Sequence, residues 1–113
     1  MSTDEYYFKE GCFIQEWHNA PDDETVSVAH VRVEPRQTTK LHALTATTER
    51  YIMLQGRGQV TVGSKSWLVE AGDVVVIPPD QAQAIENLED QDLVFLAVCT
   101  PRFDIENYQE LQP

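Results

Sequence analysis

Basic residues are scarce in this chain of 113 residues, which carries 8 Lys and Arg against 19 Asp and Glu, a formal net charge of -11. Affinity for nucleic acids and for anionic membrane surfaces depends on clustered Lys and Arg. No apolar run approaches the ~18 residues that a membrane span needs. The acidic start, residues 1–11, lacks the apolar segment of a signal peptide. We therefore expect neither nucleic acid nor membrane as a partner.

Cysteine is also scarce. Cys12 and Cys99 lie near opposite ends of the chain, and neither belongs to a CxxC or Cys/His cluster. This pattern favours two reduced thiols in a cytoplasmic protein. At roughly 100–200 residues per domain, we expect one domain over 1–113.

The chain is rich in short β-branched runs, many of them alternating, that turn residues separate. Strands at this spacing, with no helical period between them, indicate an antiparallel sandwich or barrel. Two of the runs are continuously apolar, which is typical of strands buried on both faces. Only 104–111 has a helical pattern, with Asp104 as its N-cap. The predicted strands are 11–17, 25–33, 49–55, 58–63, 66–70, 73–78 and 92–98, of which 73–78 and 92–98 are the continuous runs.

Segments 35–58 and 71–87 resemble the two conserved motifs of the cupin superfamily, and the likeness covers about 25–100. The resemblance implies an all-β fold, an antiparallel double-sheet barrel of the jelly-roll type with at most a short C-terminal helix. The residues in register with the motifs are His42, Glu49 and Gly56 in the first, and Gly72, Pro78 and Asn87 in the second.

Two departures from the motifs concern the metal site that cupins build from three histidines and a glutamate. Leu44 stands at the second histidine position and Gln83 at the third. The remaining ligand set implied by the resemblance is His42, Glu49 and Gln83. An amide oxygen is a weaker ligand than imidazole for first-row metals. The expected cofactor is therefore a divalent ion (Zn, Mn, Ni or Fe) that is held weakly if it binds.

Two further departures replace glycines of the motifs. Asp80 stands at the glycine position that follows the motif's Pro78, and aspartate tolerates a left-handed backbone better than most residues. Arg36 tolerates it less well, so we expect the turn at Arg36 to avoid positive φ.

The strand 49–55 carries the candidate catalytic group. Alternation places Glu49, Tyr51 and Met53 on one face, which would be the interior. Without a metal, Glu49 could act as a general base with His42 as its partner. Tyr51 and Met53 then line the substrate pocket.

His30 lies in a strand whose two faces are both mixed, so its direction stays open. It is either a partly exposed strand residue or, if it points inward, a substitute for the missing nitrogen ligand.

Two kinds of function follow. One is a metal-assisted isomerase or lyase-type enzyme acting on a small polar molecule, a sugar or an organic acid. The other is a non-catalytic binder or dimeric accessory protein without metal. Both faces of some strands are apolar, so we expect a homodimer.

Overall fold

The computed structural model describes residues 4–112, which form eleven strands and one short 3₁₀ turn at Ile105–Asn107. No helix in this part of the chain has the length and apolar character that crossing a membrane would require. The strands are β1 (Tyr6–Phe8), β2 (Cys12–His18), β3 (Ser27–Val33), β4 (His42–Leu44), β5 (Thr48–Gln55), β6 (Arg57–Val62), β7 (Lys65–Glu70), β8 (Val74–Ile77), β9 (Gln83–Asn87), β10 (Leu93–Thr100) and β11 (Tyr108–Glu110).

The strands form two antiparallel sheets, as the sequence predicts. The larger sheet has the order β1-β2-β3-β10-β5-β8, and the smaller has the order β11-β4-β9-β6-β7. The expected antiparallel double-sheet jelly roll is confirmed, and within residues 4–112 no strand ladder joins the two sheets, so they are not closed into a barrel. Strands β8 and β7 are therefore edge strands, because neither pairs across the sandwich with another described strand.

The core fills the space between the sheets. Alternate residues of β3, β5 and β10 point inward, and the smaller sheet contributes the inner residues of β6, β7 and β9. The buried Asn87 ties the end of β9 to the loops beside it, since its amide donates to the carbonyls of Val33, Glu34 and Gln91. Its role is structural, because these bonds hold the loops that follow β3 and β9 together.

The apolar run 73–78 is not buried on both faces, contrary to the sequence-based expectation. Val75 and Ile77 are 1% exposed, whereas Val74 and Val76 are 59% and 54% exposed. The reason is that the larger sheet packs against the smaller one through one face only, so the outward residues of β8 lie on its open face. In β10, likewise, only alternate residues are fully buried.

The segment 104–111 is not a helix beyond a single turn. Asp104 does cap that turn, its carboxylate accepting from the backbone N–H of Glu106 at 2.9 Å. From Tyr108 the chain becomes β11, which pairs with β4. Backbone pairing with a free sheet edge thus prevails over weak helical propensity.

Four strands were missing from the sequence prediction, namely β1, β4, β9 and β11. Three of them have only three residues, and β9 contains Gln83, Glu86 and Asn87 within a run of five. Such segments have too little alternation to stand out. Two of them, β4 and β9, carry His42 and Gln83.

The two residues that stand at glycine positions of the motifs both have positive φ. Asp80 has φ 69° as expected, and Arg36 has φ 63°, which corrects the expectation that this turn avoids it. Arg36 follows Pro35 in a turn closed by the Gln37 N–H to Glu34 carbonyl bond of 3.2 Å. In a turn of this kind a positive φ falls on the residue after the proline.

His30 points away from the sandwich interior. It pairs across the larger sheet with Gln15 and Leu96 and stacks on Trp17, with ring centroids 5.6 Å apart. It therefore does not replace the missing nitrogen ligand. Cys12 and Cys99 are both buried and form no disulfide.

Candidate functional site

A cavity of about 60 Å³ lies between the two sheets, at the end where β4, β5 and β11 meet. Aromatic rings make up much of its wall. Polar side chains also reach it, and they come from both sheets and the loops beside them. The lining includes Phe8, Glu10, Ser27, His42, Leu44, Glu49, Tyr51, Phe95, Cys99, Phe103 and Tyr108.

His42 is held in a single orientation by its neighbours. Its ring is buried, stacks on Tyr108 at 5.1 Å, and places Nδ1 2.7 Å from the carbonyl oxygen of Lys40. A carbonyl only accepts, so Nδ1 carries the proton and donates it to Lys40. Burial lowers the pKa of His42. The neutral ring thus presents Nε2 as the nitrogen available to a partner.

Glu49 begins the buried face of β5 and is the most enclosed carboxyl of the site. Its pKa is raised to about 7, first by burial and second by the charge of Glu10, whereas His42 and the Gln83 side chain act in the opposite direction. Its Oε1 is buried and has no hydrogen-bond partner among the described residues. A buried oxygen left without a donor is costly, so this atom is suited to meeting a ligand.

Gln83 lies opposite His42 in the β4–β9 ladder. Its Oε1 accepts a 2.5 Å hydrogen bond from the hydroxyl of Tyr51, and its Nε2 is buried without a partner among the described residues. Tyr51 reaches the cavity wall, and burial raises its pKa well above the ordinary value. Gln83 therefore supports Tyr51 in the cavity wall and does not itself line the cavity.

Met53, predicted as a pocket residue, is instead packed within the hydrophobic core. It is 1% exposed, and the cavity wall is formed by Tyr51 and Glu49 from the same face of β5. Met53 lies deeper than Glu49 and Tyr51, because each step of two residues along β5 carries the chain farther from the open end of the sandwich.

Glu10 is a site residue that the sequence analysis missed. It lies in the turn between β1 and β2, where its backbone carbonyl accepts from the Lys40 N–H at 2.7 Å. Its carboxyl lies 3.5 Å from His42 Nε2 and accepts from the Cys12 thiol at 3.5 Å. Burial raises its pKa to about 7. Nothing in the sequence distinguishes it, since it stands outside both motifs among 19 acidic residues.

These residues do not fit the three-histidine metal centre of cupins. Leu44 forms part of the apolar wall, and the one oxygen that Gln83 offers is engaged by Tyr51. Across residues 4–112 no group of three or more His, Cys, Asp or Glu side chains is arranged to hold a metal ion. The arrangement instead offers two carboxyls of raised pKa and one neutral imidazole, which is a set suited to moving protons.

The cupin domain matches residues 29–99 of this chain. The chain belongs to the cupin family. It is 30% identical over 109 residues to the uncharacterized protein MJ1618 of Methanocaldococcus jannaschii, spanning 95% of this cupin and 87% of that protein.

Solved structures extend the comparison. Pac13, a nucleoside dehydratase from Streptomyces, superposes with a TM-score of 0.82 at 16% identity, over 96% of this cupin and 84% of that chain. This likeness shows the fold alone. An oxalate decarboxylase of Lactobacillus farciminis, in its formate complex, superposes at 0.81 with 26% identity. It covers 96% of this cupin but only 33% of that chain. The Bacillus subtilis oxalate decarboxylase, 25% identical, contains Mn(II) centres.

The raised pKa values predict a stability that falls as pH rises. A carboxyl with a pKa near 7 in the folded state and 4.5 in an unfolded chain binds its proton more tightly when folded. Its contribution is complete below about pH 4.5 and is lost as pH rises through 7, by roughly 3 kcal/mol for an independent group. We expect Glu49→Gln to remove about half of this decline, measured as the free energy of unfolding in urea at pH 5 and pH 8.

The exposed Glu86→Gln on β9 is the matched control and should keep the full decline of the wild type. An unchanged pH dependence in Glu49→Gln would show that Glu49 titrates normally in the folded protein.

Proposed function

We propose that this cupin binds a small polar molecule in its cavity and transfers protons on it, as an isomerase or lyase-type enzyme that uses acid–base groups. The observation that supports this most directly is the buried Oε1 of Glu49, which lacks a partner among the described residues in a cavity it shares with His42. The nucleoside dehydratase and oxalate decarboxylase neighbours are enzymes with this fold, which agrees with the proposal.

The proposed reaction consists of proton transfers only and needs no oxidant. Ionised Glu49 takes the proton from a carbon that bears a hydroxyl beside a carbonyl, and the electron pair left behind forms the double bond of an enediol. Protonated Glu10 gives its proton to the carbonyl oxygen at the same time. Protonated Glu49 then returns its proton to the neighbouring carbon, while ionised Glu10 takes the proton of the original hydroxyl, whose oxygen becomes the carbonyl of the isomer. Both carboxyls have a pKa near 7, so each form is populated at neutral pH.

Deuterium exchange tests the proposal. Glyceraldehyde, dihydroxyacetone and hydroxypyruvate are incubated with the protein in D₂O, and incorporation at carbon is followed by proton NMR. We expect incorporation at least tenfold faster than in buffer, and a loss of about 100-fold in Glu49→Gln, because removal of a general base typically costs that much. Glu86→Gln should exchange like the wild type.

A wild type that binds these compounds but exchanges no faster than buffer would favour the second candidate, a non-catalytic binder. The departures at Leu44 and Gln83 agree with that alternative, since they remove donors that metal-dependent cupins use.

In this proposal a divalent ion (Zn, Mn, Ni or Fe) is not part of the resident machinery. With Leu44 apolar and Gln83 engaged by Tyr51, affinity should fall well below that of a three-histidine cupin. We expect the double variant Leu44→His, Gln83→His to carry close to one metal per chain by elemental analysis after dialysis, and the wild type far less. The single variant Leu44→His is the control and should gain less, because one donor is still missing. A wild type that keeps one metal per chain would contradict this.

We also propose that the protein is a cytoplasmic homodimer. Two buried thiols that form no disulfide suit a reducing compartment. The open face of the larger sheet carries Leu54, Val74 and Val76, which are about half exposed, on neighbouring strands β5 and β8. A second copy would cover this apolar face.

Sedimentation analysis should therefore give a mass of twice 12.9 kDa for the wild type. Val76→Glu should shift it toward the monomer, because a charge would be buried in the interface. The control is Leu68→Glu, equally exposed but on the other sheet, which should leave the dimer intact. A monomeric wild type at high micromolar concentration would refute the dimer.

A further inference from the structure

A more open space of about 480 Å³, the mouth, adjoins the cavity. The two spaces share part of their walls, because several residues line both. The residues common to both are Tyr6, Phe8, Glu16, Asn19 and Phe103, and the mouth adds Arg102, Asp104 and Ile105. The mouth is therefore the space beside the narrow inner cavity into which the rest of a longer ligand can extend.

Arg102 contributes the basic side chain of the mouth, and its neighbours hold it in place. Its Nε donates to Asn19 Oδ1 at 2.6 Å, and its backbone N–H donates to the Glu24 carbonyl at 3.1 Å. Asn19 in turn donates to the Phe103 carbonyl at 3.1 Å. The guanidinium is thus anchored through one edge, and its two terminal nitrogens make no hydrogen bond to any residue within 4–112.

The anchor of Arg102 is a neutral amide, although the chain has 19 acidic residues. Glu16 and Asp104 line the same mouth, but no ion pair joins Arg102 to a carboxylate among the described residues. By contrast, Arg32 pairs with Glu5 at 2.8 Å. Arg102 therefore keeps a positive charge that no described carboxylate neutralises. Its two terminal nitrogens are coplanar donors, which can bind both oxygens of a carboxylate.

We propose that Arg102 is a specificity-determining residue, which selects ligands carrying a carboxylate by binding that group in the mouth. This proposal rests on the proposed function in one respect, since both take the cavity as the site where the ligand binds. The neighbouring carboxylates of Glu16 and Asp104, together with the net charge of -11, favour a singly charged carboxylate over a doubly charged phosphate. The substrate class is then a small hydroxy or keto monocarboxylic acid, with its hydroxyl or carbonyl end directed toward Glu49 and His42.

The test compares each acid with its amide. Glycolate, lactate and mandelate are titrated against glycolamide, lactamide and mandelamide, with methyl phosphate as the phosphate probe, and dissociation constants are measured by NMR shift perturbation. We expect the wild type to bind the acids at least tenfold more tightly than their amides, and more tightly than methyl phosphate. Arg102→Gln should abolish the preference for acids and leave the affinity for amides within about twofold.

Arg57→Gln is the matched control, since it removes the same charge from an exposed position on β6 and should keep the preference. Arg102→Lys keeps the charge but not the paired donors, and should retain only part of the preference. Should Arg102→Gln fail to fold, Arg102→Lys and the wild-type comparison of acid with amide decide the matter.

Equal binding of acids and amides by the wild type overturns the role of Arg102, as does tightest binding of methyl phosphate. If Glu49→Gln then weakens acids and amides alike, the proposed function survives, because Glu49 faces the end that they share. If no probe binds and no deuterium exchange occurs, both proposals fail together.

Discussion

Burial of two carboxyl groups between the sheets, with no Lys or Arg among residues 4–112 paired to either, is the constraint that the rest of the site depends on. Placing Glu49 and Glu10 out of water disfavours their ionised forms. The sandwich tolerates this because protons can be retained at neutral pH, and because a neutral imidazole and a thiol lie close to Glu10. A lysine or arginine in the same place would neutralise the charge but would also remove the proton-transfer capacity.

The geometry around this pair is set by backbone contacts. The Lys40 amide donates to the Glu10 carbonyl, while the Lys40 carbonyl accepts from His42. A single residue thus positions the turn between β1 and β2 and also selects the tautomer of His42. The aromatic ring of Tyr108 completes the arrangement by covering the imidazole.

Sequence reasoning was most effective where spacing carries the information. Cupin motif spacing identified His42 and Glu49, which line one cavity, and Gln83, which lies directly behind it. It failed where the decisive contact is made by a segment with no periodic signal, as for Glu10 in a hairpin turn and Tyr108 in a three-residue strand.

The remaining errors, which concern the fold, have a similar physical origin. An unbroken apolar run such as 73–78 does not show how many faces of the strand are covered, so it cannot distinguish a strand with one buried face from a strand with two. At Arg36 the preceding proline and a closing hydrogen bond outweigh the intrinsic preference of arginine.

The surroundings of His42 are drawn from both ends of the chain, with Glu10 near the start and Tyr108 near the end. Contacts of such long sequence separation form late and slowly. The reactive end of the cavity is therefore expected to close late in folding, after strand pairs that are nearer to each other in the sequence.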